Sequence, residues 1–134
     1  FWYAADQMAL AGKISMDIAG QSIVTGGIDW KKEAVRAVKN GRLDATMGGH
    51  FTEIGFSLVL LYDYFNGKDF YEALGGRIHT KMTLLTRQNI DRYYDFLMLQ
   101  DWEKINFRAY SKVYTPSVTH YDFSFETLLK QTLR

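Results

Sequence analysis

Asp29, Trp30, Gly49 and His50 are the residues of this chain best suited to hold a small polar ligand. They end two short strand-like runs, Ile23-Val24-Thr25-Gly26-Gly27-Ile28-Asp29-Trp30 and Asp44-Ala45-Thr46-Met47-Gly48-Gly49-His50. Each run closes in a polar or Gly-rich turn that opens a helix. In an open α/β sheet, ligands bind at the carboxyl ends of strands, where such turns sit. Asp29 supplies an acceptor, Trp30 an aromatic face, Gly49 a backbone that can be approached closely, and His50 an imidazole. Together they suit a concave site for a small polar molecule. Ala5 and Asp6 end a third such run, Phe1-Trp2-Tyr3-Ala4, and join the candidate set. Each residue also has a purely structural reading. Asp6 can be the N-cap of the helix that follows it, and Asp29 the cap of the helix near Trp30. Trp30 can simply cover a helix start, and His50 can be a surface turn residue.

Other chemistry finds little support. His50, His79 and His120 lie far apart in sequence and lack the spacing of metal ligands, so no metal site is expected. There is no nucleophile elbow, no Ser/His/Asp arrangement and no catalytic carboxylate pair. Gly26-Gly27 and Gly48-Gly49 suit close backbone approach, but neither is a phosphate-binding glycine loop. No catalytic residue and no cofactor is therefore expected. The chain has no cysteine, hence neither disulfides nor thiol chemistry. Sixteen basic and 15 acidic residues leave a formal charge of +1, without the clustered basic excess that nucleic acid requires. The longest apolar-rich run, Ile54 to Phe65, is too short to span a bilayer and suits a buried helix.

The elements that position these residues follow from periodicity and stop signals. With 134 residues, 47% of them hydrophobic, the chain can build a real core. Strands are expected at 1–4, 22–26 and 43–47. A helix from Gln7 to about Ala19 carries Met8, Leu10, Ala11, Ile14 and Ile18 at near-helical spacing and ends at Gly20. Lys31 to Asn40 is expected as a helix with Ala34, Val35 and Val38 on one face, stopped at Asn40-Gly41. Thr52 to Phe65 is expected as a helix stopped at Asn66-Gly67. Strands alternating with helices of this length predict βαβ units, a parallel sheet and a three-layer α/β/α sandwich. Beyond Gly75-Gly76, an extended crossing segment is expected at 78–86 and a helix from Gln88 to about Gln100. A loop is expected at 106–117, and a closing helix from Phe125 to Leu133. The aromatic clusters Tyr62/Tyr64/Phe65 and Tyr93/Tyr94/Phe96 sit at helical spacing and read as core or interlobe packing.

The order of these motifs resembles type I periplasmic binding proteins, the LacI-like, sugar-binding receptors of ABC importers. The matching residues are Ala5-Asp6-Gln7-Met8-Ala9-Leu10, Gly27-Ile28-Asp29, Asn40-Gly41-Arg42-Leu43-Asp44-Ala45-Thr46, Glu53-Ile54-Gly55 and Asn66-Gly67-Lys68. Thr83-Leu84-Leu85-Thr86-Arg87-Gln88-Asn89-Ile90 looks like the family's late crossover between lobes. The resemblance covers residues 1 to about 95. It implies two α/β lobes that close on a ligand, of which this chain is most of the C-terminal lobe plus a tail. In that scheme 1–77 are βα units, 78–95 an interlobe crossover and helix, and 96–134 the tail. The resemblance implies that Asp29 accepts hydrogen bonds from sugar hydroxyls. Two positions depart from the family pattern: Ala5 stands where an Asn often binds ligand, and Gly49, beside His50, where a Gln or Arg often stands.

The implied function is a periplasmic solute receptor that binds a sugar or similar polar ligand without chemistry. Its implied partner is an ABC permease or a membrane sensor, with no membrane insertion of its own. The alternative within the same fold is the effector domain of a LacI-type regulator. A small flavodoxin-like or Rossmann enzyme would need a phosphate turn or catalytic constellation that the sequence lacks. A chain that opens on a core-strand pattern at Phe1-Trp2-Tyr3-Ala4 is also expected to be a piece of a longer protein, with apolar surface exposed and an oligomeric tendency.

Overall fold

The structure, a computed structural model, describes residues 1–99 and 102–132. Its elements are α1 (Asp6–Ile18), β1 (Gly26–Ile28), α2 (Lys32–Lys39), β2 (Ala45–Gly48), α3 (Glu53–Phe65), α4 (Tyr71–Leu74), β3 (Thr83–Thr86), α5 (Asp91–Leu99) and α6 (Phe125–Thr132). Single 3-10 turns occupy His50–Thr52, Trp102–Lys104 and Phe107–Tyr110. The chain divides into two compact units, Phe1–Gly49 with Met82–Gln100, and His50–Lys81 with Asp101–Arg134.

The first unit is built on a three-stranded sheet in the order β1-β2-β3. β1 and β2 are parallel, with Gly26 opposite Ala45 and Ile28 opposite Met47. β3 runs antiparallel to β2, with Ala45 opposite Thr86 and Gly48 opposite Thr83. The expected α/β class holds, but the sheet is mixed rather than all parallel. β3 falls within the expected crossing segment 78–86, and hydrophobic pattern alone carries no pairing direction. The expected strand at 1–4 is reduced to one parallel bridge between Trp2 and Gly26. The second strand is displaced from 22–26 to Gly26–Ile28. Asp44 explains the offset: its carboxylate accepts the Thr25 N–H at 2.7 Å, so a side chain takes the place of a ladder partner there.

α1 packs on β1, α2 packs on β2 and β3, and α5 packs on α2. Ala34, Val35, Ala37 and Val38 form the buried stripe of α2, wider than the expected face by Ala37. Leu43, Leu85, Ile90, Tyr93 and Leu97 are buried in the same unit. Gly41, at φ 73, ends α2 as its sequence predicts. α5 begins at Asp91 rather than Gln88. The Asn89 side chain accepts the Thr86 N–H at 2.8 Å and donates to the Leu84 carbonyl at 2.9 Å, holding 87–90 as a turn. The expected helix ends Gln100 and Leu133 lie outside the described residues.

In the second unit, α3 buries Phe56, Val59, Leu60 and Asp63. Phe56 stacks on Phe123 with centroids 4.5 Å apart and meets Tyr110 and Phe107 edge-on at 5.1 and 5.4 Å. Gly55 makes this possible, because a Cβ there would lie 2.3 Å from the Phe107 ring. The two aromatic clusters part ways. Tyr93 and Phe96 are core, whereas Tyr62, Tyr64 and Phe65 are exposed on α3. Those three positions project away from the face that carries Phe56, Val59 and Asp63, and Tyr62 stacks on Tyr114 at 4.9 Å.

Candidate functional site

The carboxyl ends of β1 and β2 lie side by side, because the two strands are parallel and in register at Ile28 and Met47. The chain leaves β1 through Asp29 and Trp30 and leaves β2 through Gly48 and Gly49. The Asp29 N–H donates to the Met47 carbonyl at 2.8 Å, extending the ladder into the turn. The next steps of the backbone are unusual. Asp29 has φ 118 and Trp30 φ 57, the two described residues other than glycine with positive φ. Such conformations cost about 1–3 kcal/mol each and persist where the surroundings over-determine them, as at ligand clamps. Two of them in succession at the carboxyl edge of a sheet mark this turn as the candidate site.

Neither Asp6 nor Asp29 stands at the N-cap position expected of it. The N-cap position of α1 is Ala5 and that of α2 is Lys31, and neither has a side-chain cap bond. Asp6 lies one residue inside α1 and turns to long-range partners instead. Its Oδ2 accepts the Lys31 N–H at 2.8 Å, and its Oδ1 accepts the Thr46 hydroxyl at 2.6 Å. Burial pushes the Asp6 carboxyl above its usual range. The Thr46 hydroxyl and the Lys31 amide oppose that shift, while the charge of Asp29 adds to it. Gly27 leaves room for this carboxylate, since a Cβ there would lie 2.6 Å from Asp6 Oδ1 and 2.9 Å from Asp6 Cα.

Trp30 is buried, at 2% exposure. Its indole lies against Gly48, where a Cβ would come within 2.5 Å of Trp30 Cγ. Its Nε1 donates to the Thr46 carbonyl over a long 3.4 Å, and its ring is tilted against Tyr93 at 6.4 Å. In this structure the ring packs and offers no open face for stacking. Gly49, expected to offer an approachable backbone, has φ 105 and is buried beside the Trp30 ring, where a Cβ would lie 3.6 Å from Trp30 Cη2. Ala5 is half-buried at the start of α1. The first unit thus brings Ala5, Asp6, Asp29, Trp30 and Gly49 to one edge, whereas His50 opens the second unit.

Thr46 is a neighbour of this turn that the sequence pattern did not single out. It is fully buried, its hydroxyl holds Asp6 and its carbonyl takes the Trp30 indole. Period-two alternation along β2 was the available signal, since Thr46 and Gly48 share the buried face. The second unit carries a separate cavity of about 420 Å³ lined by apolar side chains, among them Leu58, Leu61, Phe65 and Phe107. Among the described residues, no group of three or more His, Asp or Glu side chains is disposed to hold a metal ion. No described helix is long and apolar enough to cross a membrane.

The fold is that of a periplasmic binding protein lobe. The likeness is to the crystal structure of a periplasmic sugar-binding protein from Pseudomonas fluorescens, with a TM-score of 0.75 and 29% sequence identity. It covers 99% of this chain and 40% of that protein, so the chain spans well under half of the structure it matches. No protein-family model and no curated protein matches the chain.

Proposed function

We propose that this chain is part of a solute-binding protein that holds a sugar, or a similar small polyhydroxylated ligand, and performs no chemistry on it. Asp29 is the principal ligand group, accepting hydrogen bonds from ligand hydroxyls. Ala5 lets the ligand approach the backbone at the start of α1, and Trp30, Gly49 and Asp6 shape the turn. The observation that carries this reading is the left-handed Asp29-Trp30 pair at the carboxyl edge of β1, on a fold like that of a sugar-binding protein. The neighbour's printed description favours a periplasmic setting over that of a LacI-type regulator. An ABC permease or a membrane sensor is the corresponding partner.

Calorimetry on the full-length protein with D-ribose, D-xylose, D-glucose and D-galactose tests it; this chain alone should bind weakly or not at all. A charge-assisted hydrogen bond contributes about 1.5–3 kcal/mol, so Asp29→Ala should weaken binding by about ten- to a hundredfold. Asp29→Gly should bind as weakly, yet fold at least as stably, because glycine adopts φ 118 without strain. Unchanged affinity in a folded Asp29→Ala protein refutes the assignment.

A further inference from the structure

We propose that Asp6 is the positioning residue of this site: it grips the backbone at Lys31 and the hydroxyl of Thr46, and so holds the Asp29-Trp30 turn in its left-handed form. The ligand consequence rests on the reading of Asp29 above; the conformational one does not.

The two strained residues are bracketed by two hydrogen bonds of equal length. On the sheet side, the Asp29 N–H donates to Met47 at 2.8 Å. On the helix side, the Lys31 N–H donates to Asp6 Oδ2 at 2.8 Å. Between them the backbone passes through φ 118 and φ 57. Left-handed residues of this kind persist only while the surroundings fix both ends, and the Asp6 bond fixes the end that the sheet does not reach.

The cost of placing Asp6 there supports the same role. Its side chain is fully buried, and a buried carboxylate is unfavourable unless its oxygens are hydrogen-bonded. Both oxygens are engaged, one by the Lys31 N–H that follows the turn and the other by the Thr46 hydroxyl on β2. Gly27 keeps the space open where any larger residue would collide with Asp6. The nearby negative charge of Asp29 opposes the Asp6 carboxylate, and the positive charge of Lys31 favours it. Asp6 is not the N-cap of α1, which is Ala5, and it spends both oxygens on partners outside that helix.

The experiment is NMR on this chain, with amide exchange at Lys31 and HN–Hα couplings at Asp29 and Trp30, followed by sugar titration of the full-length, two-lobed protein carrying the same substitutions. Asp6→Ala should speed Lys31 amide exchange by about tenfold or more and shift both couplings toward negative φ. Asp6→Asn should restore wild-type values, because its carbonyl can accept from Lys31 and its amide can donate to Thr46. Thr46→Val, which loosens Oδ1 alone, should shift the same signals in the same direction by less. For whichever of D-ribose, D-xylose, D-glucose and D-galactose binds the wild type, affinity should fall about tenfold in Asp6→Ala and recover in Asp6→Asn. Unchanged exchange and couplings in folded Asp6→Ala overturn the proposal. Should that variant not fold, unchanged signals in Thr46→Val overturn it. If none of the four sugars binds, the functional reading fails, while exchange and couplings still decide the role of Asp6.

Discussion

Replacing Asp63 with alanine is expected to cost about 3–5 kcal/mol of stability, the range for removing one member of a buried charged network. Asp63 is fully buried on α3. It accepts the Ser111 hydroxyl, the Lys112 N–H at 2.7 Å, the Tyr121 hydroxyl at 2.8 Å and the Val113 N–H at 3.3 Å. One carboxylate thus ties two stretches of the C-terminal tail to one helix. Its removal strands the Ser111, Lys112 and Tyr121 donors at once, while the Val113 N–H keeps the Ser111 hydroxyl as a second acceptor at 3.2 Å. Burial acts to raise the Asp63 carboxyl, but the donors from Ser111, Lys112, Tyr121 and Val113 outweigh it and hold it below its usual range. A carboxyl lowered by folding contributes stability in full above its unfolded value, near pH 4, and loses it as the pH falls through the folded value. The stability gap between wild type and Asp63→Asn should therefore be widest at pH 7 and close below about pH 4. Urea unfolding at pH 7, 5 and 3 measures it. A loss under about 0.5 kcal/mol at pH 7 for Asp63→Ala would mean that the tail is held by other contacts.

The second large effect is expected at Trp30. Truncation of a buried tryptophan to alanine costs about 3–5 kcal/mol. Trp30 fits that class: its indole fills the space over Gly48, touches Tyr93 and spends its N–H on the Thr46 carbonyl. Alanine at position 30 would inherit the same positive φ, so the loss comes from packing and not from relief of strain. A tryptophan kept only to cover a sugar face would behave differently, losing affinity with little change in the unfolding midpoint. A stability loss under about 1 kcal/mol in Trp30→Ala would favour that role over packing.

Local signals read well where the cause is local. Asn40-Gly41 and Asn66-Gly67 end α2 and α3 where expected, because Gly41 and Gly67 take φ 73 and φ 77. The strand-end logic that singled out Asp29 and Gly49 needs only neighbouring parallel strands, and β1 and β2 provide them. Longer-range causes were not legible. Asp6 has the spacing of a helix cap, yet its partners are Lys31 and Thr46, 25 and 40 residues away. Asp63 reads as an interruption in an apolar helix, and its partners lie 48 to 58 residues downstream. Glycines at 26 and 27 look like poor strand residues. Their worth lies in what a Cβ would strike, the Trp2 ring and Asp6. The buried Trp30 follows the same pattern: sequence places it at a strand end, but only Gly48 on the next strand shows which way the ring turns.

The central claim is that a sugar binds at the carboxyl edge of β1 and β2 and is held there by Asp29. Chemical-shift mapping of the amide spectrum of the full-length, two-lobed protein with D-ribose, D-xylose, D-glucose and D-galactose tests it most directly. The account predicts that at least one of the four produces saturable shifts. Those shifts should be concentrated at Ala5 and Asp6, from Ile28 to Lys31 and from Thr46 to Gly49, and Asp29→Ala should abolish them at the same sugar concentration. Saturable shifts centred instead on the apolar cavity at Leu58, Leu61 and Phe107, or no saturable shifts with any of the four sugars, would contradict it.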